Sequence, residues 1–461
     1  MIKKWINDNS IFVFILCIFT ALNIIYLMNS TSNVPMMDYW KYITFLVENM
    51  YKSGISFNEL YYYGGNNNIH HVPFQLLFFL INTKYFHLNT RIEIFGGLVF
   101  IILISICLYI EFKKMFYNKI DSQIFLIAEL TIVSICFSLA AFEILTLEFS
   151  FGFGFRMLLF IVSFLWVNNF LTNTSVYYNN TLKLAGLLFV IITCVAGGYF
   201  LAYGFSMTLV IIFDFYKKSS EDKKRFFINY CILGLSMIIA FLVYMYNIKI
   251  PLDTNEVDGN NSGAALLDLI KSIVVALGAA LCGPDHSTNY IYIIGFVFLI
   301  FQFMCFFIYF KQKQYAMSYI PMLLMLYVFS LIVELYLGRG TGFGVDYMMS
   351  SRYCYDTKLI AIADIWILMR YNGKCISGNI KKITINTAVI LIFVVTMHTN
   401  YIEYKIGPAR KLYFNDLIKK MYEIETLDDE ELQNFQDSPD AVRDGVEIMK
   451  KYKLGVFYYD K

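Results

Sequence analysis

Apolar runs long enough to cross a lipid bilayer recur along almost the whole chain, separated by short segments in which Lys and Arg gather. A spanning helix needs roughly 20 mostly apolar residues, and the bilayer offers no water to satisfy exposed backbone N–H and C=O groups, so such runs must be helices. They fall near 11–28, 93–112, 122–142, 155–171, 184–197, 200–216, 226–246, 290–310, 316–337, 356–370 and 383–399. This spacing predicts an all-α, polytopic transmembrane protein with about 11 spans. Composition agrees: 58% of the 461 residues are hydrophobic and only 16% charged, outside the range of soluble domains. The net charge of +2 comes with no basic patch, which argues against a nucleic-acid partner.

Lys and Arg favour short cytoplasmic loops. With the N-terminus inside, the inner segments collect Lys3, Lys4, Lys113, Lys114, Lys119, Lys183, Lys217, Lys218, Lys223, Lys224, Arg225, Lys311, Lys313, Arg370, Lys374, Lys381 and Lys382. The longer outer loops hold fewer: Lys41, Lys52, Lys84, Arg91, Arg156, Lys249, Lys271, Arg339 and Arg352. The expected topology is therefore N-terminus in and C-terminus out. Met1–Trp5 followed by the run 11–28 resembles a signal peptide, but no small-x-small cleavage site follows, so an uncleaved first span is expected. Residues 265–282 are apolar enough to span. Crossing there would put Lys311, Lys313, Lys381 and Lys382 outside, so an interfacial or re-entrant helix on the outer face is expected instead. Gly197-Gly198 separates two short runs and marks a break between tilted helices.

Residues 1–400 form the expected membrane domain, with a long first external loop at 29–92. Residues 401–461, with Asp428-Asp429-Glu430-Glu431, form a small external segment. It is too short for a large core of its own and is expected to pack on the outer loops. The nine Cys show no CxxC spacing and read as small apolar residues; a Cys282–Cys354 pairing has little to recommend it.

Polar residues concentrate in three outer stretches. In the first loop, Met37, Trp40, Phe45 and Leu46 alternate with Asp38, Lys41, Glu48 and Asn49 at helical spacing after Pro35. This predicts an amphipathic surface helix on the membrane. Two readings of Asp38 stay open, a carboxylate favoured by the helix N-terminus and a general base for a sugar hydroxyl. Further along, Asn66-Asn67-Asn68-Ile69 leads into His70-His71, either plain loop residues with polar tips or hydrogen-bond donors to a phosphate. The second stretch places Gly338, Gly340, Gly342 and Gly344 around Arg339, with Arg352 following. It is either a flexible hairpin or a phosphate site with two bidentate donors. No GxxxxGK[ST] exists to make it a nucleotide loop. The third carries Glu143 and Glu148, either wet carboxylates at a span end or ligands for sugar hydroxyls. Within runs, Glu129 and Glu334 would each cost about 2.5–3.5 kcal/mol at mid-membrane if unpaired.

Asp38-Tyr39-Trp40 soon after the first span, His70-His71-Val72-Pro73, Gly338-Arg339 with Ser351-Arg352-Tyr353, and the short tail with Gly455-Val456-Phe457 give the chain a resemblance, over essentially its whole length, to bacterial members of the GT-C superfamily of membrane glycosyltransferases. The resemblance implies an inverting transfer on the external face of the cell membrane, from a polyprenyl-phosphate-linked sugar to a glycan, lipid or protein acceptor. It implies Asp38 as the catalytic base, and Arg339, Arg352, His71 and His70 around the donor phosphate. Tyr39, Trp40, Glu143, Glu148 and Tyr353 would contact the sugar or acceptor. The sequence departs from the pattern at His70-His71, where His-Arg is expected, and no Asp-x-Asp follows the first span. No cofactor is implied, and nothing supports a divalent metal.

Two other classes compete. An O-antigen-type polymerase or ligase usually carries its large external loop late in the chain, whereas here the long loop is the first. A transporter of lipid-linked sugars predicts paired repeats with broken helices at mid-membrane, and Gly197-Gly198 has no counterpart in a second half.

Overall fold

The structure, a computed structural model, describes residues 9–63, 70–172, 178–246, 248, 262–375 and 379–459, so Asn66–Ile69 of the first loop lie outside it. The described chain is helical from end to end, with no strand. After α1 (Ser10–Ser30), the segments Tyr39–Tyr42, Ile43–Val47 and Glu48–Lys52 run on as one helix, α2, whose middle turn is a π turn. Then come α3 (Pro73–Phe86), α4 (Thr90–Phe116), α5 (Ser122–Cys136), α6 (Ser150–Thr172), α7 (Tyr178–Cys194), α8 (Phe200–Lys217) and α9 (Ser220–Met245). The second half holds α10 (Ser262–Cys282), α11 (Thr288–Lys311), α12 (Ile320–Leu335), α13 (Ser351–Thr357), α14 (Leu359–Cys375), α15 (Asn379–Tyr422) and α16 (Pro439–Tyr452). Local signals set several starts: Asp121 and Ser219 cap α5 and α9 with their side chains, and Pro321 sits in the first turn of α12.

Among the described residues, ten helices are long and apolar enough to cross a membrane. The chain is a multi-pass membrane protein. The ten include 265–282, and they omit two expected spans. Residues 184–197 belong to the shorter apolar helix Asn179–Cys194, and 356–370 falls across the join between α13 and the 17-residue α14.

Polar contacts define two ends of the bundle. At one end the Tyr319 amide donates to Asn168 Oδ1 (2.7 Å), the Tyr319 hydroxyl to Asp214 (2.6 Å), Lys114 Nζ to Asn169 (3.3 Å) and Tyr109 to Asn9 (2.8 Å). This is the end rich in Lys. At the other end the Ala202 amide donates to Glu334 (2.9 Å), Leu139 to Asn400 (2.8 Å) and Thr90 to Asn33 (2.9 Å). Both termini of α10 are tied to this second end. The Tyr336 hydroxyl donates to Ala265 O (3.0 Å), and Thr399 Oγ1 to Leu281 O (3.0 Å).

The second end carries a cap with its own apolar core. Val34, Met36, Trp40, Ile43, Leu46 and Phe79 of the first loop are packed with Phe414, Met421, Phe435, Val442, Val446 and Met449 of the C-terminal part. Two backbone bonds close the seam, Met37 N–H to Phe435 O (2.9 Å) and Gly455 N–H to His87 O (2.6 Å). The anticipated boundary at 400 falls inside α15, which runs unbroken from the bundle into the cap. The expectation for the first surface helix needs correcting. It starts at Tyr39 rather than at Pro35, and its apolar face is covered by α16 instead of lying on lipid. The exposed apolar stripe belongs to α3: Phe74, Leu77, Ile81 and Tyr85. Sequence spacing identifies an apolar face without saying what covers it.

Gly445 of α16 makes this contact close: a Cβ there would lie 2.6 Å from Trp40 Cε3, and Trp40 is fully buried. Gly445→Ala should therefore destabilise the cap by about 1–3 kcal/mol through overpacking, despite alanine's better helix propensity. The expected result is a lower Tm and faster proteolysis near residues 423–438, and an unchanged Tm would show that Trp40 moves aside freely.

Candidate active site

Asp38 is the residue just ahead of α2, projected by an unusual backbone, because Met37 adopts a left-handed φ of +54°. Its side chain is 63% exposed and pairs with Lys41 at 2.5 Å. Lys41 also approaches Asp437 of the cap at 3.6 Å. Burial alone would lower the Lys41 pKa, but the two carboxylates outweigh it and raise it.

The His70 loop seats on the Gly197-Gly198 break. A Cβ on Gly198 would lie 2.6 Å from His70 Cε1, and one on Gly197, whose φ is +54°, 3.0 Å from Val72. Only glycine leaves room for the ring there. His70 is exposed as a residue, yet desolvation by the surrounding protein is the largest influence on its ring and lowers its pKa. Asp38 acts on the same ring to raise it and Arg339 to lower it. Three predicted residues, some 300 positions apart in sequence at the extremes, thus share one electrostatic neighbourhood. Arg339 itself is exposed, in the π turn Tyr336–Gly340, with Phe343 6.0 Å from its guanidinium.

His71 is not in that neighbourhood as a ligand. Its ring is buried, stacked on Tyr61 at 4.6 Å and edge-on to Tyr244, with Nδ1 2.7 Å from Tyr61 O. It anchors the loop to the bundle and reaches no phosphate. Tyr39 and Trp40 are likewise core residues with no face left for a sugar. The Tyr39 hydroxyl donates to Glu93, and Trp40 meets Phe435 edge-on at 5.5 Å. Glu148 is buried and accepts the Met36 amide (2.8 Å), so it holds the first loop rather than a ligand.

Arg352 starts α13 in a cluster of its own. It pairs with Glu143 at 2.9 Å and donates from Nε to Ser350 Oγ (3.0 Å). Ser351 Oγ accepts the Glu143 amide (3.1 Å), and the Tyr353 ring lies buried 5.9 Å from Tyr347. Tyr199, next to Gly198, lies within electrostatic reach of Arg352.

Sequence reading did not single out the buried ion pair beneath this cluster. Arg156 pairs with Asp356 at 2.6 Å, Tyr327 donates to the same carboxylate (2.6 Å), and the guanidinium lies 3.6 Å from the Tyr199 ring centre. It also passed over Arg410, which pairs with Asp285 (2.6 Å) and Glu403 (3.0 Å), and Asp437. For Arg156 and Asp356 the available signal was a charge at the start of an apolar run, which must be paired to be tolerated. Among the described residues no group of three or more His, Cys, Asp or Glu is arranged to hold a metal.

Compared with models of known protein families and with curated proteins, the chain matches none.

Burial pushes the Glu148 carboxyl up to about 8, against the amide bond from Met36. The sign follows: the folded state favours the protonated form, so this contribution is full below the ordinary carboxylate range and is lost as pH rises through about 8. The Tm in detergent should fall between pH 5 and pH 8. Glu148→Gln, which keeps the acceptor for Met36 N–H but cannot ionise, should flatten that slope; an equally steep slope in the variant would remove Glu148 as its source.

Proposed function

We propose that this chain is a membrane glycosyltransferase of the GT-C type, transferring a sugar from a polyprenyl-phosphate donor to a cell-envelope glycan, lipid or protein acceptor. The reading is supported by Asp38 and Arg339 both acting electrostatically on the His70 ring. An exposed carboxylate and an exposed guanidinium in one neighbourhood are what this reaction needs. Asp38 accepts the proton of the acceptor hydroxyl as its oxygen attacks the anomeric carbon. The bond from that carbon to the phosphate oxygen breaks on the opposite side, which inverts the centre. The lipid phosphate leaves with added negative charge, which Arg339 stabilises by standing ready in position. Arg352, held by Glu143 in the neighbouring cluster, is the second cation for it.

The topology we infer has eleven crossings. Of the ten long apolar helices, α10 returns to the face it started from, and the shorter α7 and α14 cross. The Lys-rich end then faces the cytoplasm and the cap lies outside, with the site on the outer face of the cell membrane. The apolar stripe of α3 rests on the outer leaflet, where an amphipathic helix is stable.

The test is transfer of radiolabelled sugar from a polyprenyl phosphate to candidate acceptors by the purified protein. Asp38→Asn should slow transfer roughly 10²–10⁴-fold, the range for a positioned general base, with Tm unchanged because the side chain is exposed. Arg339→Ala should slow it as well. Undiminished transfer by Asp38→Asn would eliminate the base assignment, and polymer formation from lipid-linked oligosaccharides alone would favour a polymerase.

A further inference from the structure

A cavity of about 340 Å³ opens between α8, α11 and α12, a size at the lower end of ligand pockets. α8 ends at Lys217, α11 ends at Lys311 and α12 starts at Ile320, so the cavity lies within about two turns of the Lys-rich end. Its floor is Tyr309, Met322 and Met325, all buried, and its rim is Ile212, Tyr216 and Phe306, all exposed. The Tyr309 hydroxyl is already satisfied by Ser318 O (2.8 Å), so the floor presents ring and thioether surface without a spare donor. Water finds no partner in such a space, and left empty its walls forfeit dispersion contacts. A hydrocarbon chain supplies them.

The mouth of the cavity is cationic. Lys217 Nζ stands 5.5 Å from the centre of the Phe213 ring and Lys223 Nζ 5.9 Å from that of Tyr216, and both rings line the cavity. Lys218, one residue on, is paired with buried Asp214 at 3.2 Å. Lys217 and Lys223, by contrast, have no carboxylate at ion-pair distance among the described residues. The two acids of the same turn, Glu221 and Asp222, are outnumbered there by Lys217, Lys223, Lys224 and Lys311, and Asp222 is engaged by Ser219 Oγ (2.8 Å). An apolar groove ending in cations at a membrane surface complements an acidic headgroup joined to hydrocarbon chains.

We propose that this groove is a binding site for an anionic phospholipid: an acyl chain lies over Tyr309 and Met325, and Lys217 and Lys223 hold the headgroup phosphate. The inference goes beyond the transfer reaction and does not depend on it, since the groove lies at the end of the bundle opposite the cap. A zwitterionic phospholipid meets the same hydrocarbon surface but brings no net charge to the lysines. Choice of headgroup therefore resides in Lys217 and Lys223, and retention of the chain in the groove.

In the experiment the full-length protein, stripped of lipid in detergent, is titrated with dioleoylphosphatidylglycerol or dioleoylphosphatidylcholine, and bound lipid is counted by native mass spectrometry. Phosphatidylglycerol should bind roughly tenfold or more tightly than phosphatidylcholine, since each basic residue near an anionic headgroup is worth about fivefold. Lys217→Gln with Lys223→Gln should remove that preference and leave phosphatidylcholine binding unchanged. Lys217→Arg with Lys223→Arg keeps both charges and should preserve it, which a folding defect would not. Ile212→Trp fills the groove from its exposed rim with every lysine in place, and should weaken binding of both lipids. Equal binding of the two lipids by the wild type overturns the proposal, as does undiminished phosphatidylglycerol binding by the double Gln variant or by Ile212→Trp. A dimer that Ile212→Trp dissociates would assign the groove to a second copy of this chain and overturn it too.

Discussion

A charge inside an apolar bundle has to find its partner there, because the bilayer offers neither water nor counter-ion. The Arg156–Asp356 pair meets that constraint and organises the upper half of the molecule around it. It joins α6 to α13, takes a third bond from Tyr327 of α12, and seats its guanidinium on Tyr199 in the break between α7 and α8. Four parts of the chain are thereby held at one point beneath the Arg352–Glu143 cluster and beside the glycine that receives His70. Removing one partner of such a pair leaves a bare charge in a low-dielectric interior, which costs about 3–5 kcal/mol.

Above that point the architecture changes from lipid-facing to self-covering. The first loop and the C-terminal tail are each too small to bury a core alone. Together they enclose one, with Trp40 pressed against Gly445 and the Met37 amide bonded to Phe435. The same seam twists Met37 and Gln436 into left-handed conformations and so aims Asp38 and Asp437 at Lys41. Packing of the cap and presentation of the carboxylates are one event. This is why a residue near the N-terminus and one near the C-terminus belong to the same neighbourhood.

Much of the membrane architecture was legible, since a run of some 20 apolar residues has few alternatives to a helix. The break at Gly197-Gly198 was legible too, although its occupant was not. Side-chain roles were read less well. Tyr39, Trp40, His71 and Glu148 were all expected at a ligand, and all four are buried in the structure as packing or bracing groups. An aromatic or polar residue in an outer loop looks the same in sequence whether it faces a ligand or a neighbouring helix. Asp38, His70 and Arg339 are exposed, and the electrostatic influence of Asp38 and Arg339 on His70 could not be read from positions so far apart.

The sequence by itself determined the class of structure: helices through lipid, a Lys-rich face, and a polar face with a long first loop. Those properties depend on local composition and on the cost of exposing backbone to hydrocarbon, both of which are written residue by residue. Tertiary structure alone decided that α16 covers the apolar face of α2, which the spacing had assigned to the membrane surface. It also decided that Asp437 stands opposite Asp38. Each of these depends on which surface buries which, a pairing between distant segments that no single stretch of sequence encodes.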